Sequence, residues 1–310
     1  MDTLGNLAFL PGVPPEAENK TLFDSFYFQG KIEGKSPATS KKYDYVFSSF
    51  LKFTGNKALK EITPGNLKEY LYYLTEKNLS RSSIQTHFRV LKTFFGFLER
   101  EELLSHNPIK GIKEPKAPKH FPFYLNDEQV QKLLNSPNQR TYEGYRNYVM
   151  LLTFLDTGVR LSELAGLKLK DVNLACRSLQ VTGKGDKMRT VYLGRKLTKS
   201  LQKWLQMRGY HPGEEAVFID KTGERLKGMN IQTILKRTKR KAGITGIRCS
   251  PHSLRHTFAT NYIRNGGDPF SLQQLLGHSD IKTVMIYVHM SGTALREAHA
   301  KFSPVDRMGG

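Results

Sequence analysis

The chain has 310 residues, 48 Lys and Arg against 28 Asp and Glu, and a formal net charge of +20. That length gives room for two domains with proper cores, and the charge points to a polyanionic partner, most often nucleic acid, over a merely solubilising basic surface. No stretch reaches the roughly 18–20 apolar residues of a membrane span, and two distant cysteines, Cys176 and Cys249, make neither a disulfide framework nor a metal spacing. Met1 to Lys20 lacks the basic-then-apolar layout of a signal peptide, so the expected compartment is the cytoplasm, beside the nucleoid. The charge is uneven: 18 Lys/Arg against 13 Asp/Glu in residues 1–120, and 30 against 15 in 121–310.

Residues 1–20 hold three prolines without sustained periodicity and are expected to form a loose arm. Residues 21–107 follow a helical pattern. Leu22, Phe23, Phe26 and Tyr27 suit a first helix; Ser36-Pro37 and Thr63-Pro64 look like caps and starts of the next two; Ser80 or Ser82 opens a fourth. Four helices with apolar stripes predict a small bundle. Asn107-Pro108 ends it, and Lys110, Lys113, Lys116 and Lys119 alternate with Pro115 and Pro118. Residues 108–122 are therefore expected to be an extended linker, either a strap along a DNA backbone or an ordinary solvated segment.

Residues 123–290 predict a second domain. Asn126 or Asp127 caps a helix, and Tyr145–Leu155 is a buried one broken by Thr157-Gly158. Leu179–Thr182 and Arg189–Leu193 alternate as strands around Gly183-Lys184-Gly185-Asp186. Val217-Phe218-Ile219 is expected to be extended. Asn230–Ala242 is a basic helix carrying Lys236, Arg237, Lys239 and Arg240, with Ile231, Ile234 and Leu235 inward. In Ser250-Pro251-His252-Ser253-Leu254-Arg255-His256, Ser250 is an N-cap and Pro251 the first helical residue. His252 and Arg255 then share one face of a helix start, where free N–H groups and the dipole favour an anion. An imidazole, a guanidinium and a helix N-terminus together suit a phosphate.

Five patterns follow in order: Thr157-Gly158-Val159-Arg160-Leu161-Ser162-Glu163-Leu164; Gly183-Lys184-Gly185-Asp186-Lys187-Met188-Arg189; His252 to His256; Leu276-Gly277-His278; and Tyr287, nine residues after His278. Together they resemble the signature of the tyrosine recombinases, the site-specific DNA recombinase and integrase family. The resemblance implies a mainly α, two-domain protein, a C-shaped clamp on DNA. It would pair an N-terminal SAM-like core-binding bundle with a C-terminal α+β catalytic domain containing a small antiparallel sheet. It implies Tyr287 as nucleophile, forming a 3′-phosphotyrosyl link. Arg160 and Arg255 would clamp the phosphate, and His252 and His278 would bond it, His252 also taking the tyrosine proton. Lys184 would be the general acid, with Lys187 as a competitor, and Glu163 the supporting acid. His256 is assigned a structural role. Residues 290–310, including the apolar Leu295, Ala298 and Phe302, would dock on a neighbouring protomer or fray.

Arg81, Arg89, Lys116, Lys236, Arg237, Lys239 and Arg240 are candidate DNA contacts; a solvated face is the plainer alternative for each. No metal is expected: His252 and His256 are four apart, as zinc ligands are on a helix, but Arg255 between them opposes a dication. No cofactor is expected, for there is no phosphate-binding loop. The implied partners are double-stranded DNA with specific inverted-repeat sites, and three further protomers, either a homotetramer or a heterotetramer with a paralogue. Strand exchange would pass through a Holliday junction, in a Xer-like or mobile-element recombinase. The rivals are a DNA relaxing enzyme of the type IB topoisomerase class and a non-catalytic architectural DNA-binding protein.

Overall fold

The computed structural model describes residues 14–118, 123–183, 186–277, 281–291 and 303. They divide into two compact units, 1–120 and 121–310.

The first unit is built on four helices, α1 (Pro15–Ile32), α2 (Pro37–Thr54), α3 (Pro64–Glu76) and α4 (Arg81–Arg100). The starts follow from local chemistry. Ser36, Thr63 and Ser80 each accept a backbone N–H three residues on, and Pro37 and Pro64 supply fixed φ at the first turn. The apolar stripes meet in an aromatic core: Phe26, Phe47 and Phe94 pack mutually, and Phe50 packs on Tyr70 and Phe95. One expectation is corrected at the start. Residues 15–20, taken with the loose arm, form the first turns of α1. Pro15 opens the helix and Glu16 and Glu18 complement its dipole. Buried Asn19 then fastens it, donating to Lys57 O (3.1 Å) and accepting from Leu59 N (2.9 Å). Beyond α4, residues 113–118 have no regular secondary structure. Glu114 accepts from Gln85 (2.8 Å) and Arg89 (2.7 Å) of α4, so part of the basic segment lies on the bundle.

The second unit contains α5 (Asp127–Asn135), α6 (Tyr142–Thr157), α7 (Leu161–Gly166), α8 (Arg195–Arg208), α9 (Gly228–Lys241), α10 (Pro251–Arg264), α11 (Pro269–Leu276) and α12 (Lys282–Ser291). Strands β1 (Val172–Asn173), β2 (Ser178–Thr182) and β3 (Met188–Tyr192) form one antiparallel sheet in that order, with Leu179 opposite Val191. β1 escaped the sequence reading because two residues are too few to show a period. Val217-Phe218-Ile219 is buried but forms no strand; only single bridges flank it, Lys168 to Ala216 and Ile219 to Arg225. α6 runs through the core, and Trp204 of α8 is fully buried with its indole N–H on Val217 O at 2.9 Å.

Candidate active site

Arg160 is presented by a turn that only glycine can make. α6 ends at Thr157, and Gly158 caps it in the left-handed region at φ +61°. A Cβ there would lie 2.3 Å from the Phe258 ring, so both backbone and space demand glycine. Val159 is buried, and Arg160 becomes the N-cap of α7. Glu163, on the first turn of α7, closes the cap: Oε2 accepts Arg160 N (2.7 Å) and Oε1 accepts Arg160 Nη1 (2.9 Å). Its side chain is fully buried and is also gripped by Arg189 of β3, at 2.5 Å to Oε1 and 2.9 Å to Oε2. Burial alone would raise this carboxyl, but the bonds from Arg189 and Arg160 outweigh it and hold it below the usual range. Glu163 is thus a buried anion shared by two arginines; the sequence had left a plain surface ion pair open.

Arg255 comes from α10, where Ser250 caps the helix and Ser253 returns the bond. It is 5% exposed, and donates through Nη1 to Gly158 O (2.7 Å) and through Nη2 to Leu276 O (2.6 Å). Burial, with Arg160 next, pulls it down to about 10, which still leaves it charged at neutral pH. Arg160 reaches Gly277 O at 3.4 Å and Arg189 Nε donates to Leu275 O at 2.8 Å. Three guanidiniums therefore hold three successive carbonyls at the end of α11. The helix C-terminus carries unpaired carbonyls and the negative end of the dipole, so cations belong there.

Tyr287 on α12 is 2% exposed and packs with Phe258, Ile263, Leu272, Leu276 and Val284. Its hydroxyl lies 2.7 Å from Nδ1 of His256. Burial raises the phenol while the Arg255 charge opposes it; the net direction is up. Burial first, then the charges of His252 and Arg255, push His256 down to about 4, so its ring is neutral at pH 7. The structure places the two histidines differently. His256, one residue past Arg255, is the one whose ring meets the tyrosine, while His252 on the first turn is exposed.

The structure thus brings Arg160, Glu163, Arg255 and Tyr287 to one side of the second unit, with His252 at the adjoining helix start. Lys184 and His278 lie outside the described residues, as do the 292–302 tail and its apolar stripe. The strands flanking Lys184 are closed by Gly183 N on Lys187 O at 2.8 Å. In the first unit, Arg81 and Lys116 are exposed along one groove with Tyr72 and Pro115, and Arg89 is paired with Glu114. In the second, Lys236, Arg237 and Arg240 are exposed and Lys239 half-buried on α9, above buried Ile231 and Leu235. Among the described residues no cluster of three His, Cys, Asp or Glu has metal-holding geometry, and no helix is long and apolar enough to cross a membrane.

Sequence reasoning gave no role to Arg189 and left the contact of His256 with Tyr287 unforeseen. A signal existed for the first: Val191 points inward on β3, so Arg189, two residues earlier, shares that face, and an inward charge needs a partner.

Comparison with known proteins gives the family and the fold. Residues 124–293 match the phage integrase family, and residues 22–103 match the phage integrase N-terminal SAM-like domain. The chain is 33% identical over 297 residues to tyrosine recombinase XerD of Halalkalibacterium halodurans, covering 93% of this chain and 99% of that protein. It is 36% identical over 274 residues to tyrosine recombinase XerC of Actinobacillus pleuropneumoniae, covering 88% and 89%. Among solved structures it resembles the XerH site-specific recombinase bound to its palindromic difH substrate, with a TM-score of 0.73, 25% identity and coverage of 93% and 84%. The ordered motifs, the two-unit architecture and these likenesses converge: the chain belongs to the phage integrase family, the tyrosine-type site-specific DNA recombinases.

Proposed function

We propose that this chain is a Xer-type recombinase that cuts and rejoins duplex DNA at inverted-repeat sites through Tyr287. The observation that carries the reading is the pair of guanidiniums, buried Arg255 and neighbouring Arg160, both held on carbonyls at the end of α11, with Tyr287 on the helix packed against α10. In the forward step, the Tyr287 oxygen attacks the phosphorus of a DNA phosphodiester. A bond forms from that oxygen to phosphorus, and the bond to the 5′ oxygen breaks. The phenol proton passes to His252, exposed at the start of α10, and Lys184 gives a proton to the departing 5′ oxygen. Arg160 and Arg255 hold the non-bridging oxygens; a charge-stabilising donor of this kind contributes roughly 10²–10³-fold in rate. His252 and His278 bond the same phosphate. The 3′-phosphotyrosyl link keeps the bond energy, so a 5′ hydroxyl from the partner strand reseals it without added fuel.

Tyr287 at 2% exposure is out of reach of a phosphate. Binding of DNA must therefore shift α12 to bring the hydroxyl to the phosphorus. The proposal extends to a tetramer of this chain, alone or with a paralogue, exchanging strands in pairs through a Holliday junction beside the chromosome in the cytoplasm. The basic faces of α9 and of the groove at Arg81 and Lys116 are the proposed backbone contacts.

The test is covalent capture. Full-length protein is mixed with a pool of nicked duplexes of random sequence, denatured, and the DNA attached to protein is sequenced. The expected result is adducts that converge on an inverted repeat and vanish with Tyr287→Phe. Adducts that persist with Tyr287→Phe would move the nucleophile elsewhere; adducts of unselected sequence would favour a relaxing enzyme.

A further inference from the structure

Arg189 lies on β3, paired with Val181 of β2. It is a half-buried guanidinium, 13% exposed at the side chain, with all three nitrogens engaged. Two of them grip both oxygens of Glu163, and the third holds Leu275 O. Glu163 in turn binds the backbone N and Nη1 of Arg160. Of the two glycines beside this group, Gly277 is fitted to it and Gly183 stands in ordinary contact with it. A Cβ on Gly277, at φ +63°, would come within 3.1 Å of Arg189 Cδ, and one on Gly183 would sit 3.5 Å from Glu163 Oε1 and 3.9 Å from Arg160 Nη1. One side chain therefore touches the β2–β3 hairpin, the carboxylate behind Arg160 and the last turn of α11.

We infer that Arg189 is a positioning residue for the phosphate clamp, setting the Arg160 guanidinium through the shared Glu163 carboxylate while fixing the α11 end on which Arg160 and Arg255 also rest. The physical reason is that Glu163 alone does not fix a direction. The Arg160 backbone N holds only one Glu163 oxygen, whereas the second fork, from Arg189, clamps both and leaves the carboxylate a single bonding direction toward the Arg160 guanidinium. Arg160 is one-third exposed, and its other side-chain bond, to Gly277 O, is long at 3.4 Å, so its orientation depends chiefly on that direction. Lysine does not substitute, because one ammonium cannot span two carboxylate oxygens and a carbonyl.

The inference rests on the proposed role of Arg160 in cleavage, and the experiment separates the two. Single-turnover formation of the covalent complex is measured at saturating full-length protein, on a nicked duplex recovered by the capture above. The variants are Arg189→Gln, Arg189→Lys, Arg160→Ala and the double Arg160→Ala/Arg189→Gln, each with its DNA affinity and melting curve. Arg189→Gln is expected to slow cleavage roughly 100-fold, the cost of a misplacement near 1 Å, without weakening DNA binding. Arg189→Lys recovers only part, and carries the test alone if the glutamine variant does not fold. The double variant is expected to be no slower than Arg160→Ala, since the two act as one unit. Wild-type cleavage by Arg189→Lys and Arg189→Gln, or a loss that multiplies fully on top of Arg160→Ala, would overturn the positioning role. Wild-type cleavage by Arg160→Ala itself would instead overturn the reading of the clamp.

Discussion

The two units of the molecule bury their polar groups in different ways. In the first, the core is a stack of phenylalanines and tyrosines, and the polar groups inside it are few: one carboxylate, Glu18, paired with Lys60 at 3.2 Å, and otherwise neutral side chains. Asn19 ties two backbone groups, and Tyr70 donates to Ser49 (2.9 Å) and meets His87 Nδ1 at 2.8 Å. In the second, three arginines lie inside and are satisfied chiefly by backbone carbonyls. Arg208 takes Ala216 O, Gly209 O and Glu214 O, Arg146 takes Ile219 O, and Arg255 takes Gly158 O and Leu276 O. A neutral buried pair only has to be satisfied. A buried cation must be surrounded, and its partners then hold loops at fixed distances. The unit that handles a phosphate uses charge as scaffold; the bundle uses shape.

The largest expected effect tests the scaffold where it meets the chemistry. Arg255→Met removes a clamp and leaves two buried carbonyls without their donor. Cleavage should fall by at least about 10²–10³-fold, with roughly 1–3 kcal/mol of stability lost for each orphaned group; single-turnover capture and urea melts measure the two. Phe94→Ala probes the aromatic side. Phe94 is fully buried between Phe23, Phe26 and Phe47, so a loss of about 3–5 kcal/mol is expected, read as an earlier urea transition of the first unit. Arg208→Met should cost about 1–3 kcal/mol yet leave cleavage per folded molecule unchanged. A large loss of cleavage there would break the distinction between a structural guanidinium and a clamping one.

A smaller effect follows from the histidines, one in each unit. Burial lowers His87, and burial with neighbouring cations lowers His256 to about 4. In each case the unfolded chain, near 6.5, takes up a proton that the native state refuses. Stability from this source is complete above 6.5 and is lost as pH falls toward 4. Melting temperatures between pH 7 and pH 5 should drop, and His256→Gln should flatten that drop. An unchanged slope would mean that the ring is charged in the fold. The smallest expected effect is at the surface: Glu114→Gln breaks an ion pair whose arginine is 64% exposed and should shift stability by less than about 1 kcal/mol. In the same variant, freed Arg89 should tighten DNA binding slightly, seen as a steeper salt dependence.

The elements were legible where local chemistry governs. Ser36-Pro37, Thr63-Pro64, Asn126 and Ser250-Pro251 open helices where caps and prolines say they should. β2 and β3 follow an alternation of apolar residues. Less legible were the first turns of α1, because their anchor is Asn19 reaching the chain near Lys57, some forty residues away. The partner of Tyr287 was hidden for a related reason. Helical spacing puts His252 and His256 on neighbouring turns of α10, but only the packing of α12 against α10 decides which ring meets the hydroxyl.

The sequence by itself determined the helical bundle, the hairpin, the order of the five motifs and hence the chemistry they imply. These depend on residue type, period and capping within a few positions. The tertiary structure decided the rest. It buried Glu163 between two arginines and gathered Arg160, Arg189 and Arg255 on three consecutive carbonyls. It also closed Tyr287 against His256. Those contacts join segments far apart in the chain. Their existence depends on distances of a few tenths of an ångström and on the exclusion of water, neither of which is written in any local pattern.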